Sequence, residues 1–288
     1  MRIGFSMPAY NEELLLAETV DEVAPLVEAI AVVDDGSRDR TPVIADALAE
    51  KHRGKVMAIH HPKNRGAGAA VITGVRALLE RDDLDAIGLI GADAQCDPAL
   101  IPCFRKILDD HPDIDVAKGS RFLHPQTLHK MPRFRYWGNR GVSAAMQLVL
   151  GYSGMSDILH GYLVARRRVF AEMDLSRIAD GYDLENTMMA EFRRLRCAFG
   201  LVPSPSRYGR ETSKIVYRKQ IPTTIKKAAM LWAERVSSGP LRDRLTPILL
   251  ASSVVTGGAT LPIAALVNRA TSPRVHVFPG ADDPSWRS

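Results

Sequence analysis

The sequence predicts an α/β fold: a mostly parallel sheet flanked by helices, followed by a helical C-terminal extension. Three observations carry this. Over the first 120 residues, short apolar runs alternate with helical patterns, the order that builds parallel β-α-β units. The runs are apolar throughout, as in Ala29-Ile30-Ala31-Val32-Val33, which suits strands covered on both faces. Polar and glycine-bearing clusters follow several of these runs, at the carboxyl ends where open α/β sheets bind ligands.

Taken in order, Arg2–Met7 reads as a strand and Glu12–Glu28 as a helix that Pro25 can end early. Ala29–Val33 is a buried strand. Thr41–His52 is a helix, with Thr41 as N-cap and Pro42 at its first position. Lys55–His60 (strand), Gly68–Glu80 (helix), Ala86–Ile90 (strand), Pro98–Asp110 (helix) and Asp115–Lys118 (strand) continue the alternation. After Arg121 it breaks down. Pro132–Leu150 reads as a helix, Asp157–Ala165 as a strand, Leu184–Arg196 as a helix and Val202–Ser213 as a loop. Ile221, Ile225, Ala229, Trp232 and Val236 then form an apolar stripe at helical spacing beside Lys226 and Lys227. Such a helix lies on a membrane surface or packs on its own core. Leu245–Asn268 carries no charge, and a bilayer span takes about 20 apolar residues. Its prolines, glycines and hydroxyl residues make it weakly hydrophobic, so an interfacial or core-packed helical pair is the expectation.

Composition narrows the class. With 288 residues, 46% hydrophobic and 25% charged, the chain is an ordinary globular one. Three cysteines (Cys96, Cys103, Cys197) make neither a disulfide framework nor a zinc pair, and the polar start MRIGFSMPAY lacks a signal peptide's apolar stretch. A cytoplasmic location is expected. The net charge of +5 is unevenly spread: residues 1–115 carry 12 Lys and Arg against 21 Asp and Glu, and residues 116–288 carry 26 against 12. Two surfaces with different partners are implied. Nucleic acid is not among them, since no binding motif appears.

Four clusters carry the chemistry. Pro8-Ala9-Tyr10-Asn11-Glu12 follows the first strand and Asp34-Asp35-Gly36-Ser37 the second, where carboxylates can accept hydrogen bonds from a base or ribose. The latter is also a good solvated turn. Asn64-Arg65-Gly66-Ala67-Gly68 opens a helix, so its backbone N–H groups can approach a phosphate or simply form a loop-to-helix turn. Gly91-Ala92-Asp93-Ala94-Gln95 offers a carboxylate and an amide two residues apart, a pair able to hold a hard divalent ion on a diphosphate.

In this order and spacing the clusters resemble family-2 glycosyltransferases of the GT-A (Rossmann-like) fold. The runs Pro8–Glu12, Val32–Thr41 and Asn64–Ala70 match that family's donor motifs. Gly119-Ser120-Arg121-Phe122, Ser156-Asp157 through Gly161-Tyr162, and Arg210-Glu211-Thr212-Ser213-Lys214 are similar to the dolichol-phosphate mannosyltransferase and polyprenyl-phosphate glycosyltransferase branch. The resemblance covers roughly residues 1–215. It implies a nucleotide-sugar half over 1–122, an acceptor half over 123–215 and a tail over 216–288. Pro8, Tyr10, Glu12, Asp35, Arg65, Gly66, Ala92, Asp93 and Arg210 would bind the UDP- or GDP-sugar, and Asp93 with Gln95 would hold Mg²⁺ or Mn²⁺. Arg121, Arg135, Asn139, Arg140 and Lys214 would face the acceptor, with Arg121, Arg135 and Asp157 at the reacting centre.

The chain departs from the pattern where Gly91 replaces the first aspartate of Asp-x-Asp, where Asn139 replaces an acceptor-side serine, and where His160 precedes Gly161-Tyr162. The expected reaction is an inverting, metal-dependent transfer of a sugar to a polyprenyl phosphate at the cytosolic membrane face. A soluble glycosyltransferase with a small hydroxyl or phosphate acceptor is the alternative, and a non-catalytic nucleotide-sugar binder a third. A phosphate acceptor needs only arginines to position it. A hydroxyl acceptor needs a base, for which Asp157 is the candidate.

Overall fold

A computed structural model describes residues 1–127, 131–181, 183–205, 217–237 and 272–280. Eight strands form one sheet: β1 (Ile3–Ala9), β2 (Ala29–Asp34), β3 (Val56–His60), β4 (Ala86–Leu89), β5 (Val116–Ser120), β6 (Leu163–Arg166), β7 (Phe199–Pro203) and β8 (Val275–Val277). Their spatial order is β3-β2-β1-β4-β6-β5-β7-β8. All neighbours run parallel except β6, which is antiparallel to both β4 and β5. The helices are α1 (Leu16–Val23), α2 (Thr41–Lys51), α3 (Ala67–Leu79), α4 (Leu100–Asp110), α5 (Arg133–Leu150), α6 (Arg167–Glu172), α7 (Leu184–Arg194) and α8 (Tyr217–Ser237).

The strand period of two sorts side chains into two cores. Ile3, Phe5, Met7, Ile30 and Val32 pack with α1, α2 and α4 on one face. Ala29, Ala31, Ile87 and Leu89 pack with α3, α5, α6 and α7 on the other. Fully burying a side chain such as Phe5 or Phe104 contributes about 1.5–3 kcal/mol. Helix α3 approaches β1 so closely that a Cβ at Gly74 would fall 2.2 Å from Ser6 Oγ, and that hydroxyl donates to Val71 O at 3.0 Å.

Several expectations need correction. The helix expected over Glu12–Glu28 is helical only from Leu16, and the chain tightens into a 3₁₀ turn over Ala24–Leu26 at Pro25. Thr41 does not cap α2: Arg40 holds the N-cap position and the Thr41 hydroxyl accepts the Glu12 N–H at 2.8 Å. The strand expected over Asp157–Ala165 begins only at Leu163, because residues 157–162 are spent on side-chain anchoring described below. Strands β7 and β8 and helix α6 were not expected.

Helix α8 forms, but the expected stripe is not its packed face. Ile225 is 64% exposed and Ala229 is exposed, while Ala228 and Leu231 pack on the second core. Arg235 explains the rotation. It is buried, and its Nη1 donates to Leu148 O at 2.8 Å and Val149 O at 3.3 Å, meeting carbonyls at the α5 C-terminus that the helix leaves open. Among the described residues no helix is long and apolar enough to cross a membrane. Residues 245–268 lie outside the described residues, as do the side chains of Ile221 and Val236.

Candidate active site

The loops after β1 and β2 are laced together by backbone-to-side-chain bonds. Asn11 N–H donates to Ser37 Oγ at 2.9 Å, Arg38 N–H to Asn11 Oδ1 at 2.9 Å, and Arg40 N–H to Glu13 Oε2 at 3.1 Å. Asn11 holds φ at 51°, a conformation asparagine tolerates better than most residues. Pro8 is the penultimate residue of β1, paired with Val33, and Tyr10 and Glu12 are half-buried just beyond the strand.

Asp35 sits under the glycine loop. Its carboxylate accepts the N–H groups of Arg65 at 2.9 Å and Gly66 at 2.8 Å, and meets His61 Nδ1 at 2.7 Å. His61 Nε2 continues to Thr73 Oγ1 on α3 at 2.9 Å. Asp35 therefore fixes the loop that carries Arg65 and Gly66. The loop itself departs from the phosphate-cradle expectation. The Asp180 carbonyl accepts Gly68 N–H at 2.7 Å and Ala69 N–H at 3.2 Å. A Cβ at Gly66 would lie 2.3 Å from Asp180 O, and one at Gly68 would lie 1.9 Å from Ala179 O. Gly66 also holds φ at 102°. These glycines admit the backbone of residues 179–181, which occupies the helix N-terminus where a phosphate was expected.

Beyond β4, Asp93 is half-buried and its Oδ1 accepts Gln95 N–H at 3.2 Å. The same oxygen lies 3.1 Å from where a Cβ at Gly91 would stand, so the glycine makes room for the carboxylate. Ala92 is buried beneath, and Ala94 holds φ at 54°, an unfavourable conformation for alanine. Among the described residues no three His, Cys, Asp or Glu side chains group as metal ligands.

The most constrained part of the site is the Arg121–Asp157 pair. Asp157 is 1% exposed. Its carboxylate takes the Arg121 Nε at 2.7 Å, Nη2 at 2.9 Å and backbone N–H at 3.1 Å. Burial pushes this carboxyl up, but the charge and hydrogen bonds of Arg121 outweigh it and hold it at about 2. Lys118, buried on β5, donates to His160 O, and burial brings its ammonium down to about 8. The His160 imidazole is pushed well below its ordinary value by burial and then by the Arg121 charge, and its Nε2 meets Ser204 Oγ at 3.2 Å. Ser120 Oγ and Ser156 Oγ lie 2.6 Å apart. Neither Lys118 nor His61 was singled out from the sequence. Lys118 gave little signal, since it ends the expected run Asp115–Lys118, which is charged at both ends, whereas the structure buries it inside Val116–Ser120.

Arginines converge beside this pair. The Phe122 ring lies 5.9 Å from the Arg121 guanidinium and 5.5 Å from that of Arg140, which is also 5.8 Å from the Tyr136 ring. Arg135 and Asn139 are half-buried one turn apart on α5. Arg210 and Lys214 lie outside the described residues.

Comparison with known proteins identifies the family and the fold. The family model described as glycosyl transferase family 2 matches residues 5–173. A polyprenol monophosphomannose synthase of Mycolicibacterium smegmatis is 30% identical over 203 residues, 69% of this chain and 74% of that protein. A UDP-N-acetylglucosamine–dolichyl-phosphate N-acetylglucosaminyltransferase of Methanococcus voltae is 33% identical over 159 residues, 51% of this chain and 62% of that protein. Among solved structures, the glucosyl-3-phosphoglycerate synthase of Mycobacterium tuberculosis bound to uridine diphosphate has a TM-score of 0.58 at 22% identity, covering 79% of this chain and 80% of that one. The same enzyme with Mn²⁺ and UDP-glucose has a TM-score of 0.56 at 21% identity, covering 79% and 78%. The fold is of the GT-A type, and this chain is a glycosyltransferase belonging to glycosyl transferase family 2.

Proposed function

We propose that the chain transfers a sugar from a UDP- or GDP-sugar to a polyprenyl phosphate, inverting the anomeric carbon, at the cytosolic face of a membrane. The observation that carries this reading is the state of Asp157. A carboxyl held at about 2 and bound three times by Arg121 is a poor proton acceptor, which favours an acceptor that brings its own anion over one that needs Asp157 as its base. A phosphate does so. One of its oxygens attacks the anomeric carbon, the bond from that carbon to the diphosphate oxygen breaks, and the electron pair leaves on the nucleoside diphosphate. Arg121, Arg135 and Arg140 would position the phosphate, and charge-assisted contacts of this kind give geometry as well as energy.

Asp93 and Gln95 would hold Mg²⁺ or Mn²⁺. One carboxylate is enough where substrate phosphates and waters complete the octahedron, as is usual for Mg²⁺. Bound there, the ion would neutralise charge developing on the leaving diphosphate. The relatives named for polyprenyl and dolichyl phosphates support the acceptor class. Peripheral membrane contact is supported by apolar side chains left facing outward, Phe134 at 86% and Trp137 at 64% exposed on α5, with Ile225 and Met230 on α8.

The test is a transfer assay with a panel of labelled UDP- and GDP-sugars, Mn²⁺ or Mg²⁺, and vesicles carrying either polyprenyl phosphate or the matching polyprenol. Label passing to the phosphate and not to the alcohol is expected. Transfer to the alcohol, or to soluble phosphates but never to the lipid, overturns the reading.

A further inference from the structure

We propose that His61 is a positioning residue for the donor nucleotide: charged and buried, it holds the Asp35 carboxylate, and through it the Arg65–Gly66 turn; this rests on the donor reading above. The parallel register of β2 and β3 places Asp34 beside His60. One residue on, where both strands have ended, Asp35 meets His61. The His61 N–H donates to Asp34 O at 2.9 Å, and its Nδ1 lies 2.7 Å from Asp35 Oδ1. Two adjacent acids therefore face two adjacent histidines at the strand ends.

The hydrogen bonds fix the proton count on the ring. Asp35 Oδ1 accepts the Arg65 N–H at 2.9 Å and Oδ2 the Gly66 N–H at 2.8 Å, the pattern of an ionised, acceptor-only carboxylate. At the other end of the ring, Nε2 lies 2.9 Å from Thr73 Oγ1, and the single proton of that hydroxyl goes to Ala69 O at 2.9 Å. Both ring nitrogens then face acceptors, and an imidazole that donates from both carries a positive charge. Burial calls for the same state. The side chains of Asp35 and His61 are 3% and 6% exposed, and an anion taken out of water needs a cation beside it. Asp34 is buried next to it and sharpens that need; His60 Nδ1 lies 3.3 Å from Asp34 Oδ2, and its Nε2 lies 2.9 Å from Asp46 Oδ1 on α2.

Stability alone does not explain such a pair, since apolar side chains of similar volume often fill a buried site as well or better. What the pair supplies is direction. Thr73 roots the chain of bonds in α3, His61 carries it to Asp35, and Asp35 delivers it to the backbone of the turn. The Arg65 side chain is exposed at that turn, so its placement comes from the backbone that Asp35 holds. A binding group carried on a loop needs support of this kind from behind.

The experiment combines nitrogen NMR of the histidine rings at neutral pH with calorimetric titration of UDP and GDP in Mn²⁺. It uses the full chain as wild type, His61→Gln, Asp35→Asn and the double variant, with transfer kinetics in parallel. Two protonated ring nitrogens are expected on His61, the signals being assigned by their loss in His61→Gln. That variant should bind the preferred nucleotide about tenfold or more weakly, the usual worth of a hydrogen bond to a charged group. In the Asp35→Asn background the same change should cost little further, because both residues act through one bond. The donor KM should rise while the acceptor KM stays, a split that general loosening of the fold would not give. Thr73→Val, which removes the acceptor of Nε2–H and leaves the Asp35 contact, should shift the Nε2 signal and lose less affinity, and it carries the test if His61→Gln does not fold. A neutral His61 ring, additive losses, or variants that are less stable yet bind nucleotide as the wild type does would each overturn the assignment. A wild-type chain that binds neither nucleotide would overturn the donor reading itself, and this inference with it.

Discussion

Replacing Asp157 with asparagine tests the reading of the site at its most constrained point. The substitution keeps the shape and removes the charge that holds Arg121 by Nε at 2.7 Å and Nη2 at 2.9 Å. Two magnitudes follow. Asp157 has a carboxyl at about 2 against an ordinary 3.8, and each pH unit of separation is worth about 1.4 kcal/mol, so charging it contributes roughly 2 kcal/mol to the fold. Because the folded pKa is the lower one, this stability is fully present above the ordinary carboxyl range and is lost as the pH falls through about 2. Breaking the buried pair at neutral pH costs more, about 3–5 kcal/mol, because Arg121 is left charged and uncompensated. Urea unfolding at pH 7 should show that loss in Asp157→Asn, whereas Arg121→Met with Asp157→Leu should be far closer to wild type. In transfer assays the single variant should raise the acceptor KM through a misplaced Arg121. An acid limb near neutral pH that Asp157→Asn abolishes would refute the reasoning, since it would make Asp157 a working base.

Three further outcomes follow from the same geometry. Asp35→Ala removes the acceptor for the part-buried Arg65 and Gly66 N–H groups, and a hydrogen bond to a charged group is worth about 1.5–3 kcal/mol, so calorimetric stability and UDP affinity should fall together. Gly68→Ala places a Cβ 1.9 Å from Ala179 O, and overpacking of this kind costs about 1–3 kcal/mol, readable as a lowered urea midpoint with faster proteolysis at residues 178–183. Lys118→Met concerns a base whose folded value falls from 10.5 to about 8, so wild-type stability should rise between those pH values by about 3 kcal/mol, and the variant should lack that rise when the two are compared by denaturant unfolding.

The first 120 residues were legible because their signals are local. Continuous apolar runs such as Ala29–Val33 predicted doubly covered strands, and the structure buries every residue of β2. The clusters after β1, β2 and β4 announced themselves as polar breaks in an apolar rhythm. What stayed hidden depends on contacts distant in sequence. The glycines at 66 and 68 read as a phosphate cradle because their permissiveness is visible while the backbone that fills it, 179–181, lies more than a hundred residues on. The α8 stripe left two readings open, a membrane-facing surface or a packed one, because period alone weighs apolar residues, whereas the rotation of this helix is set by one buried arginine answering carbonyls on α5. His61 gave no local sign of its role, since its partners Asp35 and Thr73 lie on two other elements.

The reversed strand β6 accounts for the convergence of the site. In a wholly parallel sheet, the loops after β4 and β5 would share an edge, but the segment entering their neighbour would approach from the opposite one. Because β6 runs antiparallel between them, residues 157–162 enter from the edge at which β4 and β5 end. Each consequence is a bond across that edge. Tyr162 Oη donates to Asp97 O at 3.0 Å beyond β4, Gly119 N–H donates to Tyr162 O at 3.0 Å, Lys118 donates to His160 O, and Asp157 takes Arg121 beyond β5. Four contacts on one short stretch explain why it is not a strand, as its apolar content suggested, since its side chains and carbonyls are committed to the site. They also explain why Asp157 is buried without being available as a base. It is the fixed end of a brace that begins beyond β4 at Asp97 and ends beyond β5 at Arg121. A perturbation at either end should therefore be felt at the other, and sequence spacing, which sets Asp97 and Asp157 60 positions apart, shows none of it.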